Sequence, residues 1–423
     1  MLTFLSAAPA EAVPLYARQT GQKCASCHLG GNFHELTASG REFKLLGYTE
    51  GERETIPVSA MLQASMTKIS SYNGADASQF PRDGDLVAQQ VSLFSGGKVT
   101  NNVGAFIQWT YDGIAHHSNL DNADIRYAAK TKIGGKALIY GLSLNNNPTV
   151  QDVFNSVPAW GFPYASPAGG TPAMTPAAGT LIDGGLAQQV AGINAYVDWN
   201  DNLYAEIGGY KTADGVFSFM RAGQDTVASR YTISGTSPYW RLALHGDNGA
   251  HHWMVGAYGM VADIYADPTD AGSPTNRFKD IALDGQYQYG SGQDRWSVQT
   301  TWIHEKTDWN LAEIGNGVDN GSDTLNTFRI KGSYFYNNLV GGTVGLFSTT
   351  GSSDSAHYSS SANGSPDSRG YILEVDYLPL SNVKLAAQYT GYTKFNGSSS
   401  NYDGSGRNAG DNNTLYLLGW LLF

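Results

Sequence analysis

The residues of this chain that are best suited to chemistry form one short run near its amino end, Cys24-Ala25-Ser26-Cys27-His28. The sequence contains no other cysteine. Two thiols at this spacing can bond both vinyl groups of one porphyrin, while the adjacent imidazole ligates the iron. The run therefore predicts one covalent haem of the c type on Cys24 and Cys27, with His28 as a metal ligand. A zinc or redox site is the alternative, but zinc usually takes four protein ligands.

The second axial ligand of such a haem is usually a histidine or a methionine. His34, Met61 and Met66 lie nearest to the cysteines in sequence, and His245, on a predicted strand, could also point inward. We place His34 among the predicted cofactor-binding residues and leave the other three open.

The composition restricts the fold that positions this run. Charged residues make up 15% of the 423 residues, against about 25% in a typical soluble domain. Glycine occupies 51 positions, which argues against a helical bundle or a coiled coil. No stretch has the roughly 18 to 20 apolar residues that a membrane-spanning helix needs. The net charge of -11 argues against nucleic acid as a partner, because phosphate binding requires an excess of Lys and Arg.

From Ile56 onward the sequence alternates apolar with polar or small side chains in segments of roughly ten residues, the pattern of strands with unlike faces. Ile193 and Val197, for example, alternate with Asn194 and Asp198. We predict sixteen strands, near 56–70, 86–96, 102–111, 123–132, 136–145, 187–199, 203–212, 239–247, 252–262, 279–289, 295–304, 325–336, 339–348, 370–378, 383–394 and 413–423.

The connections favour a barrel over a soluble sandwich. Every second connection is tight and rich in turn formers, as at 134–135 and 337–338, whereas those between them are long, as at 146–186. Outer-membrane barrels have short turns on one side and long loops on the other. Closure is required because an open sheet edge in lipid would leave amides unpaired. The sequence thus predicts an all-β fold, a transmembrane antiparallel outer-membrane β-barrel of about sixteen strands, over residues 56–423.

Two segments precede the predicted barrel. Residues 1–12 contain an apolar run and the small-residue sequence Ala10-Glu11-Ala12, which indicates a partial signal peptide and export. Residues 13–55 carry the haem run, and chains below about 40 residues rarely hold a core unaided. We therefore expect this haem segment to plug the barrel or to dock at its periplasmic mouth. Five apolar side chains would pack on the porphyrin: Phe33, Leu36, Phe43, Leu45 and Leu46.

The haem segment resembles the amino terminus of the fused monohaem cytochrome-porins, a family that includes outer-membrane iron oxidases. The similarity is carried by Pro14–Gly21, by the run from Cys24 to His28 and by Gly40–Tyr48, and a further similar stretch covers Asn145–Asp152 and Pro158–Gly161. Phe33-His34-Glu35-Leu36 stands where the family has Phe-Pro-x-Leu.

The resemblance implies an electron conduit in the bacterial outer membrane. Electrons would enter from extracellular Fe(II), or another external reductant, and leave through the single haem to a periplasmic cytochrome. The haem would be reached from the lumen or from the periplasmic side. Two alternatives stay open: a diffusion porin with a redox-sensing or pore-blocking haem plug, and a haem peroxidase, which needs an open sixth position on the iron.

Overall fold

The computed structural model describes residues 14–31, 34–71, 81–167, 176, 178–224, 230–315 and 317–423. The predicted signal peptide, residues 1–12, and the predicted haem contact Phe33 lie outside the described residues. Sixteen strands form one closed barrel in which every strand pairs antiparallel with its sequence neighbours and β1 pairs with β16. All sixteen predicted strands are present, so the all-β barrel prediction is confirmed.

The strands have the following bounds: β1 Val58–Ile69, β2 Leu86–Lys98, β3 Val103–Asp112, β4 His117–Ile133, β5 Lys136–Asn145, β6 Val190–Trp199, β7 Leu203–Thr212, β8 Ser237–Asn248, β9 His251–Tyr265, β10 Thr275–Ser291, β11 Asp294–Asp308, β12 Ser322–Tyr336, β13 Val340–Gly351, β14 Ser368–Leu380, β15 Val383–Lys394 and β16 Thr414–Leu422.

The outward face of the barrel is apolar and its inward face is polar, which is the reverse of a soluble protein. On β6, Ile193 is 54% exposed whereas the neighbouring Asn194 is fully buried. On β14, Val375 is 66% exposed whereas Asp376 is 1% exposed. An apolar outer surface around a polar interior is the pattern of a barrel that is surrounded by lipid. It supports the predicted location in the outer membrane and excludes the soluble sandwich.

The connections are sorted by length as predicted. Tight turns join β4 to β5 and β12 to β13, and in the second of these Asn337 and Asn338 adopt φ of 54° and 52°. Asparagine tolerates this left-handed conformation better than most residues. The opposite end carries the long loops, apart from the short connection 113–116 between β3 and β4. The first residue of β1 and the last residue of β16 both lie on the side of the barrel that carries the tight turns.

Three short helices precede the barrel: α1 Pro14–Thr20, α2 Cys24–Cys27 and α3 Ala38–Leu45. We call residues 14–57 the plug, because its side chains contact inward-facing residues of the strands. Arg41 Nη1 donates to Gln288 Oε1 on β10 at 2.8 Å, and Tyr48 Oη donates to Asp124 Oδ2 on β4 at 2.7 Å. Among the described residues no helix is both long enough and apolar enough to cross a bilayer.

A second segment also folds into the lumen. We call its described residues 146–167, 176 and 178–189, between β5 and β6, the inner loop. Arg241 of β8 forms ion pairs with Asp152 of the inner loop at 3.0 Å and with Asp284 of β10 at 2.8 Å, and all three side chains are fully buried. Farther along, Ala165 O accepts a hydrogen bond from Gln388 Nε2 of β15 at 3.1 Å. The inner loop therefore crosses the lumen from one wall to the other.

Candidate cofactor site

The cysteine run folds into a compact double turn. His28 N donates to Cys24 O at 2.8 Å, which closes the single turn of α2. The chain then reverses through Gly30 and Gly31, whose φ values are 62° and 74°, and His28 forms an antiparallel bridge with Leu36. Glycine adopts this left-handed backbone at no steric cost. The reversal returns the chain to the start of α3, where Thr37 N donates to Cys27 O at 2.9 Å.

The close packing of α2 on α3 depends on Gly40. A Cβ atom at this position would lie 2.2 Å from Cys27 O, which is a backbone atom and cannot move away alone. Alanine normally favours a helix over glycine by about 1 kcal/mol. Here the clash dominates, because the two helices would have to separate to admit the methyl group.

We expect Gly40→Ala to destabilise the α2–α3 packing by about 1 to 3 kcal/mol, the usual cost of overpacking. Hydrogen exchange of the Thr37 amide, which bonds Cys27 O, should then be roughly 5- to 150-fold faster. The matched control is Ser39→Ala on the exposed face of the same helix. Unchanged or slower exchange in Gly40→Ala would show that the packing is less tight than described.

One cavity of about 300 Å³ brings most of the predicted site residues together. Cys24, Cys27, His28, His34 and Phe43 all line it. Cys24 and Cys27 do not form a disulfide, and burial raises the pKa of the Cys27 thiol to about 11. Such a volume is at the lower end of the range for small-molecule sites, about 300 to 1,000 Å³.

Both histidines of the cavity are desolvated. The Nδ1 atoms of His28 and His34 are buried without a hydrogen-bond partner. Burial lowers the pKa of His28 to about 4, and burial together with nearby cations lowers the pKa of His34 to about 3. Both imidazoles are therefore neutral at neutral pH, which is the form that ligates a metal.

The His34 ring is held on two sides by aromatic residues. It stacks on Tyr164 of the inner loop with ring centroids 4.4 Å apart, and it meets the edge of Trp420 of β16 at 5.4 Å. Tyr164 Oη donates to Glu35 Oε1 at 3.2 Å and accepts from Lys331 Nζ of β12 at 2.7 Å. Lys331 and Glu35 are themselves a buried ion pair. The plug, the inner loop and the barrel wall thus all position this imidazole.

Part of the remaining wall of the cavity is a cradle of aromatic groups. Phe43 packs edge-on against Tyr16 and Tyr48, with ring centroids 5.1 and 5.8 Å apart. Phe94, Phe106 and Trp160 approach from β2, β3 and the inner loop. A flat apolar ring with covalent links to two thiols suits such a surface. The two reduced cysteines, the partnerless imidazole nitrogens and this cradle together fit a c-type haem, with Cys24, Cys27, His28 and His34 as the residues that would hold it.

The other sequence-predicted contacts divide between the cavity and the barrel wall. Leu36 lines the cavity as predicted. The placement of Leu45 and Leu46 on the porphyrin was wrong, since both pack in a separate core cluster with residues of the wall such as Ile139 and Tyr204.

The structure also sorts the alternative axial ligands. Met61 lines the cavity from β1. Met66 is five residues farther along the same strand and belongs to the opposite, outward face. His245 contacts Asp198 Oδ2 at 2.7 Å and the ring of Phe154, away from the cavity. Of the four candidates, His34 and Met61 are the two that reach the site.

Sequence reasoning missed the contribution of the inner loop. Trp160 and Tyr164 line the cavity, and Asn155 Nδ2 donates to His34 O at 2.8 Å. The sequence signals in this segment were the resemblances of Asn145–Asp152 and Pro158–Gly161 to the cytochrome-porins, and neither predicted that the segment lies inside the lumen.

Comparisons with models of protein families and with curated proteins find no match for this chain. Solved structures do match. OmpF of Salmonella typhi in complex with daunomycin has a TM-score of 0.49 and 12% identity over 86% of this chain and 97% of that one. The channel DcaP of Acinetobacter baumannii has a TM-score of 0.48 and 9% identity over 86% and 96%. A loop L8 deletion mutant of OmpT from Vibrio cholerae has a TM-score of 0.47 and 12% identity over 87% and 99%.

Proposed function

We propose that this protein is an outer-membrane electron-transfer protein that oxidises an extracellular reductant, Fe(II) in the first instance, and passes the electron to a periplasmic cytochrome. The observation that carries the proposal is the convergence of Cys24, Cys27, His28 and His34 on one cavity inside a closed barrel. A c-type haem held there supplies one-electron transfer.

The two sides of the cavity suit the two proposed directions of transfer. Cys27 is half-buried, and the preceding Gln22 and Lys23 are exposed on the plug. This edge would be open to a periplasmic partner, since α1 next to it bonds the tight-turn end of the barrel through Gln19 Oε1 and Lys98 N at 2.9 Å. On another side, Trp160 and Tyr164 of the inner loop line the cavity.

The position of His34 supports an electron carrier over a peroxidase. A peroxidase needs a free sixth position on the iron, whereas a neutral imidazole, fixed by Tyr164 and Trp420, lines the same cavity as His28. His28 and His34 would both hold a haem bound in this cavity, and the haem would supply a one-electron couple with no open position for peroxide.

We expect the haem-loaded protein, purified in detergent under anaerobic conditions, to be reduced when Fe(II) is added. The measurement is stopped-flow absorbance of the haem bands, with dithionite as the control for full reduction. Reduction by dithionite but not by Fe(II) would reject iron as the donor and leave another extracellular reductant. Failure of both reagents would contradict electron transfer at this site.

A diffusion porin with a haem plug is the second candidate. A further lumenal cavity of about 440 Å³ favours it, lying between the inner loop and the wall that includes Gln299, Arg329 and Gln388. Planar-bilayer recordings of the haem-loaded protein distinguish the two functions. Steady solute or ion conductance would support the porin, and a closed lumen would support the electron carrier.

A further inference from the structure

Three polar side chains line the haem cavity although they are almost fully buried. Lys44 of α3, Gln63 of β1 and Gln108 of β3 are 4%, 3% and 9% exposed. Within the part of the chain that the structure describes, the carboxamide of Gln63 has no hydrogen-bond partner. Burying an amide without a partner costs free energy unless a ligand supplies one. Gln108 already donates to Ser92 Oγ at 3.4 Å and to Thr110 Oγ1 at 3.2 Å, so Gln63 is the amide of this group that the surrounding residues leave unsatisfied.

Lys44 is a buried cation without a carboxylate partner. Its Nζ donates to two neutral acceptors of the inner loop, Val150 O at 2.8 Å and Asn155 Oδ1 at 2.9 Å. It lies 4.3 Å from the centroid of the Trp160 ring. Among the described residues no carboxylate oxygen lies within ion-pair distance of it. Burial lowers the pKa of Lys44 to about 7, which shows how poorly its charge is compensated.

Other charged groups surround this region. Four act on Lys44 from neighbouring elements: Arg126, Asp124, Asp152 and Glu206. Arg126 and Asp124 are paired with each other, and Asp152 pairs with Arg241. Asp121 also lines the cavity, but its carboxylate already accepts from Thr110 Oγ1 at 2.9 Å and from Gln188 Nε2 at 2.7 Å. None of these carboxylates neutralises the ammonium directly.

We propose that Lys44 and Gln63 form a carboxylate-binding pocket for the propionates of the haem. The inference rests on the proposed function, because it requires the haem. Attachment to Cys24 and Cys27 fixes the vinyl edge of a porphyrin, and the two propionates leave the ring on its other side. Lys44 and Gln63 line the same cavity as Cys24 and Cys27, so they are available to groups on that other side.

The chemistry of the pocket is that of ionised carboxylates in a dry site. Ammonium and amide N–H donors favour the charged form of a carboxylic acid, and without them burial raises its pKa by up to 3 to 5 units. Negative charge near the iron stabilises the ferric state. A propionate whose charge is neutralised by nearby donors has less of this effect than an unpaired propionate, so the pocket should raise the midpoint potential. A bound propionate would in turn favour the charged form of Lys44. The pocket should thus set the midpoint potential and keep it independent of pH.

The test is spectroelectrochemical titration of the haem-loaded protein from about pH 5 to pH 8. We expect Lys44→Met to lower the midpoint potential by about 59 mV, a tenfold change for one electron. The midpoint should also become pH-dependent, because the propionate now titrates in this range. Gln63→Leu, which removes a donor without changing the charge, should give the same new pH dependence with a smaller shift. Lys279→Met, at an exposed lysine of β10 that does not line the cavity, is the control and should do neither.

Each outcome bears on one claim. A lower midpoint potential in Lys44→Met with no new pH dependence in either variant would overturn the proposed propionate pocket. The loss of one positive charge near the haem would explain that potential shift without any contact to a propionate. If Lys44→Met does not fold, Gln63→Leu decides alone, and an unchanged pH profile in it rejects the pocket. A wild-type protein that carries no haem would reject the proposed function instead.

Discussion

The His28→Ala variant is expected to form the same barrel and to lose all reduction by Fe(II). His28 belongs to the plug and makes no side-chain hydrogen bond to a strand within the described residues. Its loss should leave the sixteen strands intact while the iron loses the imidazole that follows the second cysteine. The measurements are the absorbance spectrum of the haem and stopped-flow mixing with Fe(II), with heat-modifiable gel mobility as the check for a folded barrel.

The matched variants are His34→Ala and Met61→Leu, since both side chains line the cavity. We expect His34→Ala to retain the covalent haem but to convert the ferric iron from low spin to high spin, because one axial position opens. Met61→Leu should leave the spin state unchanged. A spin change in Met61→Leu alone would assign the second ligand to Met61, and wild-type reduction in His28→Ala would refute the site.

The second large effect is expected from Arg241→Met. Arg241, Asp152 and Asp284 are fully buried, so the substitution leaves two carboxylates without their cation. Removing one partner of a buried pair usually costs about 3 to 5 kcal/mol. The inner loop would also lose an anchor to the wall of β8 and β10. We therefore expect a lower free energy of unfolding in detergent and a higher conductance in planar bilayers.

The exposed pair of Lys279 and Asp308 provides the control for this substitution. Their Nζ and Oδ2 atoms are 2.7 Å apart, but the two side chains are 45% and 35% exposed. Ion pairs in water contribute about 0 to 1 kcal/mol, so Lys279→Met should have little effect. Equal losses in the two variants would show that Arg241 has no special role in holding the inner loop.

The barrel could be predicted from the sequence because its signals are local. A strand with one lipid-facing side alternates at every second residue, so Ile193 and Asn194 already indicate their faces. Turn formers such as Asn337-Asn338 mark where strands reverse. The haem run is equally local, since its three reactive residues lie within five positions.

The inner loop could not be placed from the sequence, because its contacts join residues that are far apart in the chain. Ser156 Oγ donates to Asp284 Oδ2 at 2.5 Å across 128 positions, and Lys331 pairs with Glu35 across 296. Neither pair has a sequence pattern that links its members. Leu45 and Leu46 were misplaced for a related reason: apolarity predicts burial, but it does not distinguish a cofactor from a barrel wall.

The central claim is that one haem is bound covalently at Cys24 and Cys27 inside the lumen. The most direct test is the intact mass of the protein purified from cells that mature c-type cytochromes, compared with a Cys24→Ser/Cys27→Ser double variant. We predict that the wild-type chain gains the mass of one haem, that its thiols no longer react with alkylating reagents, and that the double variant gains none. A folded wild-type barrel with the mass of the bare polypeptide and two free thiols would contradict the account.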